Sequence, residues 1–123
     1  MPYQPERIHS SSVWYQNVER AKEKAKRLLN KLVAVNQTTS IAIGKLVAVD
    51  IDRLWQSQYP YCKMELKRPV RFRIDAMFQH KMGDVEIFFA NKPEMIMSME
   101  ELAQKFSKIY ENLQPYIKKN EVG

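Results

Sequence analysis

Apolar residues at Trp14, Val18, Ala21, Ala25, Leu28, Leu32 and Val35 recur at alternating steps of four and three, the seam of a heptad helix. With Ser11 or Ser12 as cap, the spacing predicts a helix over 13–35. Its other faces carry Arg20, Lys22, Lys24, Lys26, Arg27 and Lys31 against Glu19 and Glu23. The pentapeptide KLVAV begins at Lys31 and again at Lys45. That offset is two heptads, so Leu46 and Val49 stay in phase with Leu32 and Val35, as one long helix would require. A competing reading breaks the helix at Asn36 to Ser40 (NQTTS), which is poor in helix formers and rich in capping types. A helical hairpin results, its second helix starting at Thr39 or Ser40 and running to about Gln58, where Tyr59-Pro60 ends it. The β-branched residues Ile41, Ile43, Val47, Val49 and Ile51 also admit a strand. The stripe Val47, Ile51, Leu54 and Trp55 tips the expectation to helix.

From Val70 the period changes to two. Val70, Phe72, Ile74, Ala76 and Phe78 alternate with Arg71, Arg73, Asp75, Met77 and Gln79; Met82-Gly83-Asp84 is a turn, and Val85, Ile87 and Phe89 resume the alternation. The pattern predicts a β-hairpin with Phe78 opposite Ile87 and Ala76 opposite Phe89 on the helix-covered face. Met77 and Phe88 are then left on the other face, beside unpaired strand edges. Ser98 and Glu101 have capping-box spacing, and Leu102, Phe106, Ile109 and Leu113 mark an amphipathic helix ending before Pro115. The expected class is α+β: two N-terminal helices (a hairpin or one long helix), a β-hairpin and a C-terminal amphipathic helix. Residues 13–117 form a single domain, between a flexible N-terminal arm (1–12) and a frayed tail (118–123).

Charge refines this outline. The net charge of +6 is uneven: residues 1–62 hold nine Lys/Arg against five Asp/Glu, 63–81 hold six against two, and 82–123 hold five against seven. A basic first two-thirds favours an acidic partner, whether nucleic acid, an anionic surface or an acidic protein. The segment 55–73, WQSQYPYCKMELKRPVRFR, interleaves Tyr59 and Tyr61 with Lys63, Lys67, Arg68, Arg71 and Arg73, a composition suited to phosphates and stacked bases, although it matches no recognised nucleic-acid module.

Catalytic and metal chemistry find little footing. Three glycines in 123 residues leave almost no room for a Gly-rich phosphate loop. Cys62 is the only cysteine, beside Lys63 but with no histidine near it in sequence, and His9 and His80 are far apart. Asp50 and Asp52, on a helix, point to different faces. Met95, Met97 and Met99 are soft donors, but such runs are more often apolar filler. No cofactor and no enzymatic activity are expected. The N-terminus lacks a signal-peptide core and no run reaches membrane-spanning length, so the chain reads as intracellular and cytoplasmic, without membrane insertion.

The functional expectation is a non-enzymatic protein-interaction or scaffold module with a protein partner or a homo-oligomer. Its interface would be formed by Met77 and Phe88 on the hairpin and by Trp14, Val18, Ala21 and Ala25 on the coiled-coil-like seam. The alternative is a nucleic-acid-binding module using segment 55–73.

Overall fold

The computed structural model describes residues 5–53, 59–73, 79–81 and 84–122, with side chains described for 12–53, 59–72 and 84–119. One N-terminal helix, α1 (Pro5–Arg27), precedes β1 (Leu32–Asn36), β2 (Ser40–Arg53), β3 (Pro60–Arg73), β4 (Gln79–Lys81) and β5 (Val85–Ala90). A 3-10 turn (Pro93–Met95) leads to β6 (Ile96–Ser98) and three short helices, α2 (Met99–Lys105), α3 (Ser107–Asn112) and α4 (Gln114–Val122). All pairings are antiparallel. The sheet runs β3-β2-β1-β6, and β4 and β5 pair with successive parts of β3, whose other side is occupied by β2.

The expectation of two N-terminal helices is therefore overturned. The helix starts earlier than predicted, at Pro5, and stops at Arg27. Asn30 adopts the left-handed conformation (φ 68°), one that asparagine tolerates at a helix end, and its amide donates to the Leu46 carbonyl (2.7 Å). The two KLVAV copies then fall in neighbouring strands, with Leu32 opposite Lys45 and Val33 opposite Gly44. NQTTS is the hairpin turn between them, where Asn36 Oδ1 accepts from the Thr38 amide (3.0 Å). β-Branched side chains pack well on a pleated surface and lose rotamer freedom in a helix, which is why this stretch takes the strand alternative.

The sheet is sandwiched. On one face, Ala21 and Ala25 of α1 lie on Val33, Val35, Ala42, Leu46, Cys62, Met64, Leu66, Phe88, Ala90 and Ile96. On the other, Leu102, Ile109, Leu113 and Ile117 of the C-terminal helices cover Ala34, Ile41, Ile43, Val70, Phe72 and Met97. Covered on both faces, the middle of β1 is buried without alternation, so its LVAV reads as a continuous apolar run. Lys24 ties the layers together: its Nζ donates to the Pro93 carbonyl (3.1 Å) and to Glu101 Oε2 (3.0 Å). Burial pulls the Glu101 carboxyl upward, but the Lys24 ammonium and the Ser98 amide outweigh it and hold the group below its usual range.

The predicted capping box is present: the Glu101 amide donates to Ser98 Oγ (3.2 Å) and the Ser98 amide to Glu101 Oε1 (3.3 Å). The helix it opens is interrupted at Phe106 (φ −136°, ψ 65°). Pro115 sits in the first turn of α4 instead of ending a helix, a place where its missing N–H leaves no helical bond unmade.

Two irregularities set the course of β3. Between the pairs Ile43/Val70 and Lys45/Lys67, β3 advances one residue more than β2, a bulge at Arg68-Pro69. Gly44 faces it, and a Cβ there would lie 3.2 Å from Leu66 Cβ, the Lys67 carbonyl oxygen and Pro69 Cα. A second shift, at Val47, moves the rest of β2 by one position. Together they let β2 and β3, fourteen residues each, run on beyond the C-terminal helices.

Candidate protein-docking surface

Beyond the Arg68-Pro69 bulge no helix among the described residues covers the α2–α4 side of the sheet. Register places three rows there, Lys45–Lys67–Val85, Ala48–Glu65–Ile87 and Asp50–Lys63–Phe89, with Asp52 and Tyr61 beyond them. Val85 is 50% exposed and Ile87 48%, whereas Phe88, one residue along and on the α1 face, is 1% exposed. The predicted orientation of this strand is thus reversed. Phe88 belongs to the core beside Ala90, and Ile87 and Val85 face outward. β5 pairs with Cys62 to Lys67 of β3, and the residues expected opposite it, 76–78, lie outside the described residues.

Among the described residues nothing pairs with the outer edge of β5. The Arg68 amide donates to the Asp84 carbonyl, which extends the β3–β5 ladder by one pair and fixes its phase. Glu86, Phe88 and Ala90 then direct their backbone groups to β3, and Val85, Ile87 and Phe89 direct theirs away. Among the described residues β5 pairs with β3 alone. The other sheet edge, β6, is three residues long and passes straight into α2, which leaves little to template.

The remaining candidates are dispersed. Lys63 and Lys67 lie on the open face, Lys63 Nζ being 3.7 Å from Asp52 Oδ2. Arg68, at the bulge with φ 49°, is largely exposed and 4.0 Å from Asp84. Arg71 projects to the opposite, α1 face, bonded to Glu86 Oε1 (2.5 Å) with its guanidinium 5.2 Å from the centre of the Phe88 ring. Arg73 ends β3, and its side chain, like residue Met77 altogether, lies outside the described residues. Tyr59 and Tyr61 pack on Trp14, at ring-centroid distances of 5.3 and 5.2 Å, and Trp14 Nε1 donates to the Pro60 carbonyl (2.7 Å). Val18, Ala21 and Ala25 are buried within the chain; the seam closes on its own sheet.

Asp50 and Asp52 share a face after all, because their strand brings i and i+2 together, and each accepts a bond from the next amide. Met95 packs against the α1-side core and Met97 and Met99 against the other, so the methionine run does not converge. Cys62 is buried, and loss of hydration pushes its thiol up to about 11 against a smaller pull from Lys22. The thiolate is the reactive form, so maleimide should leave Cys62 unlabelled in the folded chain and label it in denaturant; fast labelling of the native protein would contradict this placement. Among the described residues no three or more His, Cys, Asp or Glu side chains gather as a metal set, and no helix is long and apolar enough to cross a membrane.

Sequence reasoning overlooked Val85, Ile87 and Phe89 as surface residues, and Lys45 altogether. The strand itself carries no decisive signal, since Glu86 shares the Phe88 face and only the structure shows Arg71 meeting it there. A scan against protein-family models finds no match to this chain, and a search of the curated proteins finds none either.

Proposed function

We propose that this chain is a non-enzymatic docking module, working in the cytoplasm, whose partner is a protein that pairs with the free edge of β5 and rests on the open half of the sheet. One observation carries the reading: the outward backbone groups of Val85, Ile87 and Phe89 and the half-exposed side chains of Val85 and Ile87 belong to the same strand. Unpaired strand edges are templates for further pairing, and natural proteins usually blunt them with lysine, proline or a covering loop. Among the described residues no such device stands on VEIFFA, whose one charge, Glu86, turns inward. Leaving half of each of two large apolar side chains in water forgoes about 1 kcal/mol apiece, a cost that docking recovers.

Ile87→Lys tests this. The substitution places an ammonium on the open face without touching the α1-side core. Affinity capture should recover partners with the wild-type chain and with a Lys108→Glu control on α3, and lose them with Ile87→Lys. Identical recovery by all three chains overturns the reading.

Nucleic-acid binding stands as a second reading on a separate observation. Lys45 and Lys67 lie directly opposite each other on the open face, next to the exposed Arg68. Like charges so placed repel unless an anion lies across them. A shift of mixed RNA and DNA at low salt that collapses towards physiological salt would support it, and no shift at low salt would remove it.

A further inference from the structure

We propose that the occupant of the β5 edge is β5 of a second copy, paired antiparallel about a two-fold axis through Phe88, so that two sheets join into one. The inference rests on the docking reading above and adds the partner and the register. Most soluble oligomers are homo-oligomers and two-fold dimers are the commonest, their interfaces built from one patch used twice. An edge strand meets that condition when its own sequence, reversed, presents complementary residues.

The outward-facing residues Val85, Ile87 and Phe89 restrict self-pairing to a few registers. Pairing centred on Ile87 sets Glu86 opposite Phe88, a carboxylate against an aromatic ring. Pairing centred on Phe89 sets Asp84 opposite Glu94 and turns Val85 to Pro93, which has no N–H to give. Pairing centred on Phe88 has neither fault. It sets Ile87 opposite Phe89 twice, on the open face where Ile87 is half exposed. It also sets Asp84 opposite Lys92 twice, one pair at each end. Asp84 has 92% of its side chain exposed and lies 4.0 Å from Arg68. Lys92 is exposed too and has extended φ and ψ (−145°, 145°), two residues beyond the end of β5 where the chain bends towards the 3-10 turn. Among the described residues, helix α1 makes its main contacts with β2, β3, β6 and the 3-10 turn and not with β5. In the joined sheet Val85, Ile87 and Phe89 of both copies form one strip.

Sedimentation equilibrium on the full chain, from low micromolar to several hundred micromolar, is the test. A reversible dimer is expected. Asp84→Lys alone and Lys92→Asp alone should each weaken it by about tenfold or more, since each change turns two attractions into two repulsions. The double variant Asp84→Lys/Lys92→Asp should return to within about threefold of the wild type, because the swap restores both pairs in this register and in neither alternative. Both substitutions lie at exposed positions, and circular dichroism checks that the three variants fold. A wild type that stays monomeric throughout, or a dimer indifferent to the single changes, overturns the proposal. A monomeric wild type whose captured partner is still lost with Ile87→Lys overturns self-pairing and leaves the docking reading standing; loss of neither defeats both.

Discussion

Phe88→Ala is expected to lower the unfolding free energy by about 3–5 kcal/mol, the range for removing a buried aromatic side chain and leaving its cavity. The ring is 1% exposed among Met64, Leu66, Ala90 and the other α1-side core residues. It also lies beneath the Arg71 guanidinium, whose bond to Glu86 is itself only partly exposed, so truncation uncovers an ion pair that the ring helps to position. Domains of this size are stable by about 5–15 kcal/mol in all, which places the variant near the threshold of folding. Urea denaturation followed by circular dichroism measures the loss, and Phe88→Leu, which keeps most of the volume, should give back more than half of it. The expected result separates the core from an interface. A residue serving a partner would change the oligomeric state or the capture of that partner and leave the midpoint within about 0.5 kcal/mol of wild type.

The KLVAV pair shows where sequence patterning ran out. Fourteen residues is a multiple of the heptad and also of two, so the interval holds a seam in phase on a helix and keeps a strand's alternation equally well. Periodicity had no means of separating these, and β-branched content, which favoured the strand, was outweighed by a stripe passing through Leu54 and Trp55. The helix over Trp14 to Ala25, the alternation from Val70 and the Ser98–Glu101 box were legible because each rests on local chemistry: spacing, pleat and a pair of reciprocal bonds. Partners are not local. Alternation assigns the residues of β5 to two faces, but it does not say that β3 is long enough to seat β4 and β5 in succession, or that a bulge at Arg68-Pro69 divides those places. The same bulge explains the scattering of the basic segment. It advances β3 by one position, so Lys63 and Lys67 emerge on the open face and Arg71 on the α1 face, where Glu86 meets it.

Trp14→Ala should cost about 3 kcal/mol, and the loss bears directly on the choice between the two functional readings. The indole fastens the middle of α1 to the start of β3 through its bond to the Pro60 carbonyl and its contacts with Tyr59 and Tyr61; Tyr61 in turn meets Phe89 edge-on at 6.2 Å. Removing it forfeits a partly buried aromatic surface, leaves the Pro60 carbonyl without that donor, and ends ring contacts worth about 0.5–1.5 kcal/mol each beyond their area. A double-mutant cycle with Tyr59→Ala isolates the ring–ring part, for which a coupling of about 1 kcal/mol is expected. Coupling near zero would mean that Tyr59 is held by something other than Trp14 and remains available to a ligand. A tyrosine engaged in such a cluster offers a stacking base little free face, so nucleic-acid binding through Tyr59 would have to break the contacts the cycle measures. Nucleic acid that binds the folded chain should then raise the midpoint of unfolding whichever contacts it makes, and should abolish the Trp14–Tyr59 coupling only if it takes Tyr59 from Trp14 and does not bind solely along Lys45, Lys67 and Arg68. On the docking reading it does neither, and the aromatic cluster serves to hold α1 across the sheet while the edge of β5 stays open.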